Sequence, residues 1–391
     1  MSQTYKASAK SGRDAQPAPK NRDDIILVLQ GGGALGAYQA GAYEALADAG
    51  YAPERIAGIS IGAINGAIIA GNPPERRVER LRRFWQRVSS RDVGWPLSSH
   101  GEWRNAFAQA AAFNSLLCGV PGFFTPRIAP PLFAPAEDVT RLGYYDTEPL
   151  RETLSELVDF DYLNSEGPRL SVGAVNIRSG NFAYFDCCHR PLSEAHIMAS
   201  AALPPGLPPV EIDGEYYWDG GIVSNTPLHH VLDSGLSRAT TVFQVDLFSA
   251  RGTMPGTLAD AVEREKEIRY SSRTRDHTRQ MAERLKLRSA FDRLLDKLPP
   301  ELAADPDVDL LRGARHEPAV TIMHLIYRDR AFRSHARDYE FSRRSVEEHW
   351  AAGKRDVQHS LGDRRWRERA QGIPGVTIYD LTKDMEGQDR S

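Results

Sequence analysis

Polar and small residues fill the start of the chain, MSQTYKASAKSGRDAQPAPK, until an unbroken apolar run, Ile25 to Leu29, ends in Gln30 and three glycines. A continuous run of that length predicts a strand buried on both faces. Residues 1–22 ahead of it read as a disordered tail without the apolar core of a secretory leader. Small and apolar positions from about Gly36 to Ala49 predict a helix, and Arg55 to Ile59 predicts a second short strand. Ile61 to Ala70 predicts a helix whose small side chains suit close packing on a sheet. Strand, glycine loop, helix, strand, sharp turn and helix together imply an α/β fold: three layers, with helices flanking a central, mostly parallel sheet.

Further along, Val78, Leu81, Phe84, Trp85 and Val88 recur at helical spacing beneath a strongly basic face, which predicts an amphipathic surface helix over 74–88. From Gly94 to Pro135 the chain is rich in Trp, Phe, Pro and Gly without clear periodicity. This reads as a long irregular segment that either walls an acyl channel or packs as core under a loop. Thr147 to Val158 predicts a helix, Arg169 to Ile177 and Asn181 to Phe185 two strands about Ser179-Gly180, and Ser193 to Ala202 a helix stopped by Pro204 and Pro205. Val210 to Trp218 is extended around a Gly214 turn, while Thr240 to Phe248 and Val320 to Tyr327 are buried-strand patterns. The charged stretch Leu258 to Leu298 predicts one or two long helices, Tyr339 to Ala352 another, and the end of the chain is polar. The expected organisation is the tail 1–22, a catalytic α/β domain over 23–250, and a mostly helical C-terminal extension over 251–391 whose strand 320–327 completes the core sheet.

Charge excludes one class of partner. With 49 Lys and Arg against 52 Asp and Glu, the net charge of -3 lacks the basic excess expected of a nucleic-acid-binding protein. Three cysteines, Cys118, Cys187 and Cys188, form neither a disulfide framework nor a zinc-site spacing, which favours a reducing, cytoplasmic setting. No stretch reaches the roughly 18 apolar residues of a membrane span, so any lipid contact is expected to be peripheral.

Two motifs carry chemistry. Gly31-Gly32-Gly33-Ala34-Leu35-Gly36 follows a strand and opens a helix, a setting in which backbone N–H groups converge on an anion. The spacing of Gly31, Gly33 and Gly36 also fits a dinucleotide fingerprint, but its acidic partner should stand about 20 residues on, after the second strand. Glu54 precedes that strand instead. Gly58-Ile59-Ser60-Ile61-Gly62 is a nucleophile-elbow pattern, in which glycines flank a serine on a turn too tight for side chains. That serine needs a base. The late histidines, His277, His316, His324, His335, His349 and His359, lie in no Gly-rich loop after a strand. Asp219 follows the extended run Glu215 to Trp218 and precedes Gly220 and Gly221, which suits either a turn aspartate or a base with little steric cover.

GGGALG, GISIG and DGG in this order, with SAALPPGLPPVEIDGEYYWDGGIVSNTPL around the last, resemble the patatin-like phospholipase family over roughly residues 25 to 250. The resemblance implies a catalytic dyad of Ser60 as nucleophile and Asp219 as base, without histidine. It also implies an oxyanion hole from backbone groups of Gly31, Gly32, Gly33, Ala34, Leu35 and Gly36. Asp-Gly-Gly is a usual form of the third motif. Many members carry a basic residue where Leu35 stands, so the loop here lacks that charge for an anionic head group. Residues beyond about 255, including DYEFSRRSVEEHWAAGKRDV, look like the C-terminal extension of a bacterial subgroup. The expected activity is lipid acyl hydrolysis through an acyl-enzyme, with a lipid or other ester as substrate and no metal or cofactor. Two rivals stand beside it: a nucleotide-dependent oxidoreductase, resting on the glycines alone, and a catalytically silent scaffold that binds membrane or protein. Asn65 is expected to be structural, and Asn225 to steady the aspartate loop.

Overall fold

Alternate side chains of the first strand enter two different cores. Ile25, Leu27 and Leu29 pack into the larger, with the small residues of the first two helices, and Ile26 and Val28 join Val242, Val320, Ile322, Leu228 and Val231 in a smaller one. A strand with apolar side chains on both faces must be covered on both. The computed structural model describes residues 23–89, 102–128, 138–271 apart from 235 and 237, 319–328, 337–370, 372 and 375–382, with scattered positions between 283 and 308.

The elements run β1 (Asp24–Leu29), α1 (Gly36–Asp48), β2 (Arg55–Ile59), α2 (Ile61–Ala70), α3 (Pro74–Arg87) and α4 (Glu102–Cys118). Then come β3 (Thr125–Pro126), β4 (Tyr145–Asp146), α5 (Glu148–Leu157), α6 (Phe160–Ser165), β5 (Arg169–Asn176), β6 (Phe182–Asp186) and α7 (Glu194–Ala201). After them follow β7 (Val210–Ile212), β8 (Glu215–Asp219), α8 (Leu228–Asp233), β9 (Thr240–Asp246) and α9 (Leu258–Tyr270). Last are β10 (Ala319–Ile326), α10 (Arg343–Gly362), α11 (Arg364–Arg367) and β11 (Gly375–Tyr379).

A nine-stranded sheet takes the order β11-β10-β9-β1-β2-β5-β8-β7, with β6 also paired to β5. The run from β11 to β5 is parallel, and β6, β7 and β8 pair antiparallel. The α/β architecture thus has the expected parallel centre. β10 hydrogen-bonds to β9 from Val320 to Ile326, so a strand from beyond 251 lies inside the sheet. Glycines fix how α10 meets the body. A Cβ on Gly41 of α1 would stand 1.9 Å from the carbonyl of Trp350, and one on Gly353 would stand 2.0 Å from that of Tyr38. Only glycine at both positions lets the two helices approach that closely.

Three expectations need correcting. The segment 94–135 is not irregular throughout, since α4 occupies Glu102–Cys118. Its alanine-rich run EWRNAFAQAAAFNSLLC is made of good helix formers, and it stops at Gly119, whose φ of 81° suits a glycine C-cap. The chain end is not wholly polar: β11, GVTIY, is an edge strand beside β10, its polar flanks hiding the pattern. The helix expected from Tyr339 starts at Arg343, where Ser342 caps it by accepting from the Ser345 N–H at 3.3 Å, and continues to Gly362. The tail 1–22 and residues 90–101, 129–137 and 272–282 lie outside the described residues. No described helix is long and apolar enough to cross a membrane.

Candidate active site

Sheet register brings the two signal motifs together. β5 lies between β2 and β8, and its adjacent residues Gly173 and Ala174 pair with Ile59 and Asp219. The end of β2 and the end of β8 therefore stop at neighbouring levels, and Ser60 is the next residue of the first. The sharp turn is real: Ser60 has φ 54° and ψ −124°, a backbone state that costs free energy for any L-residue and is held by its surroundings. A Cβ on Gly58 would meet the Gly62 carbonyl oxygen at 2.4 Å, and one on Gly62 would meet that of Leu29 at 2.3 Å. Ser200 of α7 braces the turn, accepting from the Ser60 N–H at 3.0 Å and donating to the Gly173 carbonyl at 2.7 Å.

The Ser60 hydroxyl stands near enough to the Asp219 carboxyl to hold its pKa down. Asp219 Oδ1 accepts from the Gly221 N–H at 2.7 Å. The carboxyl is only 2% exposed, which corrects the expectation of little steric cover. Burial pushes its pKa from 3.8 up to about 7, against the opposing pull of the nearby Ser60 hydroxyl and the Gly221 N–H. Gly220 has no room for a side chain, because a Cβ there would come within 2.6 Å of the Gly173 carbonyl oxygen.

The glycine loop divides into spent and unspent donors. Gly31 donates to the Asn225 carbonyl at 3.3 Å, Leu35 to that of Gly32 at 3.2 Å, and Gly36 to those of Gly33 and Ala34. The N–H groups of Gly32, Gly33 and Ala34 have no acceptor among the described residues. Ser60, Asp219, Gly31, Gly32 and Gly221 line a common cavity of about 60 Å³ with Leu203, Asn225, Phe248, Lys266, Tyr270, Asp338 and Tyr339. Leu35 is buried and stands apart from it.

One residue that holds the site, Gln30, carried no functional signal in the sequence. Gln30, fully buried, accepts at Oε1 from the Leu247 and Phe248 N–H groups at 2.6 and 2.9 Å. Its Nε2 donates to Thr226 Oγ1 at 3.0 Å and the Tyr270 carbonyl at 3.1 Å. Asn225 steadies the glycine loop more than the aspartate loop, its Nδ2 donating to the carbonyls of Gly31 at 3.1 Å and Tyr270 at 3.0 Å. Asn65 is structural: its Nδ2 donates to the Gly36 carbonyl and Gln39 Oε1, both at 2.9 Å, and its Oδ1 accepts from Trp85 Nε1 at 3.1 Å. Of the late histidines, His324, His349 and His359 are described and none lines the cavity. The segment weighed as an acyl wall lines a different cavity of about 240 Å³, between Val88, the end of α4 and Phe341.

A family model described as patatin-like phospholipase matches residues 27–232, and one described as patatin phospholipase matches 268–372. Lysophospholipase NTE1 of Saccharomyces cerevisiae is 26% identical over 244 residues, 61% of this chain and 12% of that protein. The protein of the same name from Candida glabrata is 24% identical over 264 residues, 63% of this chain and 12% of that one. This chain thus corresponds to only a small part of the curated relatives it matches. Among solved structures, VipD from Legionella pneumophila aligns at a TM-score of 0.35 and 16% identity, over 86% of this chain and 67% of that one. With the first family model spanning more than half of its length, and Ser60, Asp219 and the glycine loop all inside that span, the chain belongs to the patatin-like phospholipase family.

Proposed function

We propose that this chain is a lipid acyl hydrolase that cleaves carboxylic esters through a Ser60–Asp219 dyad and an acyl-enzyme intermediate. The observation that carries the reading is Ser60, on its strained turn, sharing one cavity with a buried Asp219 and with a glycine loop whose Gly32 N–H has no acceptor among the described residues. In its ionised form Asp219 takes the proton of Ser60 as Oγ bonds to the ester carbonyl carbon. The carbonyl π electrons move onto oxygen, where the Gly32 N–H, with those of Gly33 and Ala34, stabilises the charge. The carbon–oxygen bond to the alcohol then breaks, and Asp219 returns the proton to the leaving oxygen. Water repeats the sequence on the acyl-enzyme, giving up a proton to Asp219 and releasing the fatty acid as Ser60 recovers its own.

The lysophospholipase names of the relatives support a lipid ester as substrate. In this reading the protein works without metal or cofactor and meets lipid peripherally from the cytoplasm. Release of p-nitrophenol from esters of graded acyl length tests it. The reading requires rates that rise with chain length in the wild type and collapse in Ser60→Ala and Asp219→Asn. A folded wild type inert on every ester would leave the scaffold reading in its place.

A further inference from the structure

The cavity at Ser60 is too small for the substrate just assigned to it. About 60 Å³ holds a few water molecules, whereas ligand pockets span roughly 300–1,000 Å³. Two elements from beyond residue 251 narrow it. α9 contributes Lys266 and Tyr270, and the short 3-10 turn Arg337–Tyr339 contributes Asp338 and Tyr339. The Asp338 carbonyl presses on the glycine loop so closely that a Cβ on Gly33 would stand 2.2 Å from its oxygen. That peptide covers one of the loop residues whose N–H has no acceptor.

Among the described residues that line this cavity, Lys266 is the only cation. Its Nζ pairs with Asp338 Oδ1 and lies 5.1 Å from the ring centroid of Tyr339. The two charged side chains are 18% and 12% exposed, so neither is well solvated. Their anchoring differs. The last carbonyl of α9, that of Tyr270, is held by both Gln30 and Asn225, which fixes the Lys266 helix to the glycine loop. If the loop is uncovered by displacement of the 337–339 turn, Asp338 leaves with it while Lys266 stays. A poorly solvated ammonium stripped of its carboxylate is strongly unfavourable unless another anion replaces it.

We propose that Lys266 is a specificity-determining residue that selects esters bearing a phosphate, exchanging its Asp338 partner for the substrate phosphate as the site opens. A phosphate oxygen restores the ion pair with a charge-assisted hydrogen bond, whereas a neutral ester leaves Lys266 uncompensated. This inference rests on Ser60 being the nucleophile.

The test compares 1-lauroyl lysophosphatidic acid with 1-lauroylglycerol, which share the acyl chain and glycerol and differ in the phosphate, in one neutral detergent. The wild type should favour the phosphate ester by about tenfold or more in kcat/KM. Lys266→Met should erase most of that ratio, chiefly through KM, and Lys266→Arg should keep it. Asp338→Asn, which frees Lys266, should lower KM for the phosphate ester several-fold. In a second measurement on Ser60→Ala protein, glycerol 3-phosphate should raise the melting temperature, and adding Lys266→Met should abolish the rise. Hydrolysis of both esters at similar efficiency, or a ratio that survives Lys266→Met, overturns the proposal and leaves the hydrolase reading intact. A wild type inert on both esters removes the hydrolase reading and this proposal with it.

Discussion

Asp219→Asn should stabilise the protein at alkaline pH while abolishing its activity, because the wild-type carboxylate is ionised at a buried site. Its folded pKa of about 7 lies above the ordinary 3.8, so between those values the folded state binds a proton that the unfolded state has released. Stability from this group is thus fully present below about pH 3.8 and is lost as pH rises through about 7. At about 1.4 kcal/mol for each tenfold change in proton affinity, the loss reaches about 4 kcal/mol above pH 7. Asparagine has nearly the same shape, can still accept from the Gly221 N–H, and carries no charge to bury. For 391 residues at about 2.1 cal/mol/K each, 4 kcal/mol corresponds to about 5 °C in melting temperature. The assay is differential scanning calorimetry of both proteins at pH 8.5 and pH 4, reading the difference between them so that all other titrations cancel. The variant should melt about 5 °C higher at pH 8.5 and show almost no difference at pH 4. An equal offset at the two pH values, or a variant less stable at pH 8.5, refutes the claim that Asp219 is a carboxylate held at the expense of stability.

The same raised pKa predicts that kcat/KM for a neutral ester climbs about tenfold per pH unit below pH 7 and levels off above it, because the base works only when ionised; a pH–rate profile flat from 5 to 8 contradicts this. Gly62→Ala, whose Cβ would meet the Leu29 carbonyl oxygen at 2.3 Å, should lose about 3 kcal/mol or more in urea unfolding. Gln30→Ala orphans the buried N–H groups of Leu247 and Phe248 and should lose about 2–4 kcal/mol in the same assay. Asn225→Ala, freeing the Gly31 carbonyl, should lower kcat on p-nitrophenyl esters by about 10- to 100-fold with a smaller effect on KM.

Local pattern made the centre of the fold legible. Strands such as β1 and β9 are apolar on both faces, and the glycines at Gly58, Gly62 and Gly220 sit where a side chain would meet backbone, so motif and geometry are one constraint. The surroundings of Asp219 were hidden because Tyr270, Asp338 and Tyr339, which share its cavity, come from distant segments with no motif of their own. Gln30 read as the end of a strand, and its hub role depends on β9 standing beside β1. The helix α4 was concealed by the Trp, Phe, Pro and Gly on either side of an alanine-rich run, and β11 by flanking charge. Gly41 and Gly353 face each other's helix backbones only once α1 and α10 have packed, which no spacing within one segment announces.

The dyad itself is tested most directly by a fluorophosphonate probe, which forms a covalent adduct with an activated serine and with little else. Intact-mass and peptide-mapping spectrometry at pH 8 should find one adduct per chain, on Ser60. It should be absent in Ser60→Ala and form at least about 100-fold more slowly in Asp219→Asn, as expected when the general base is lost. A folded protein that takes up no probe, that is labelled at another serine, or that labels equally fast without the Asp219 carboxylate would contradict the account.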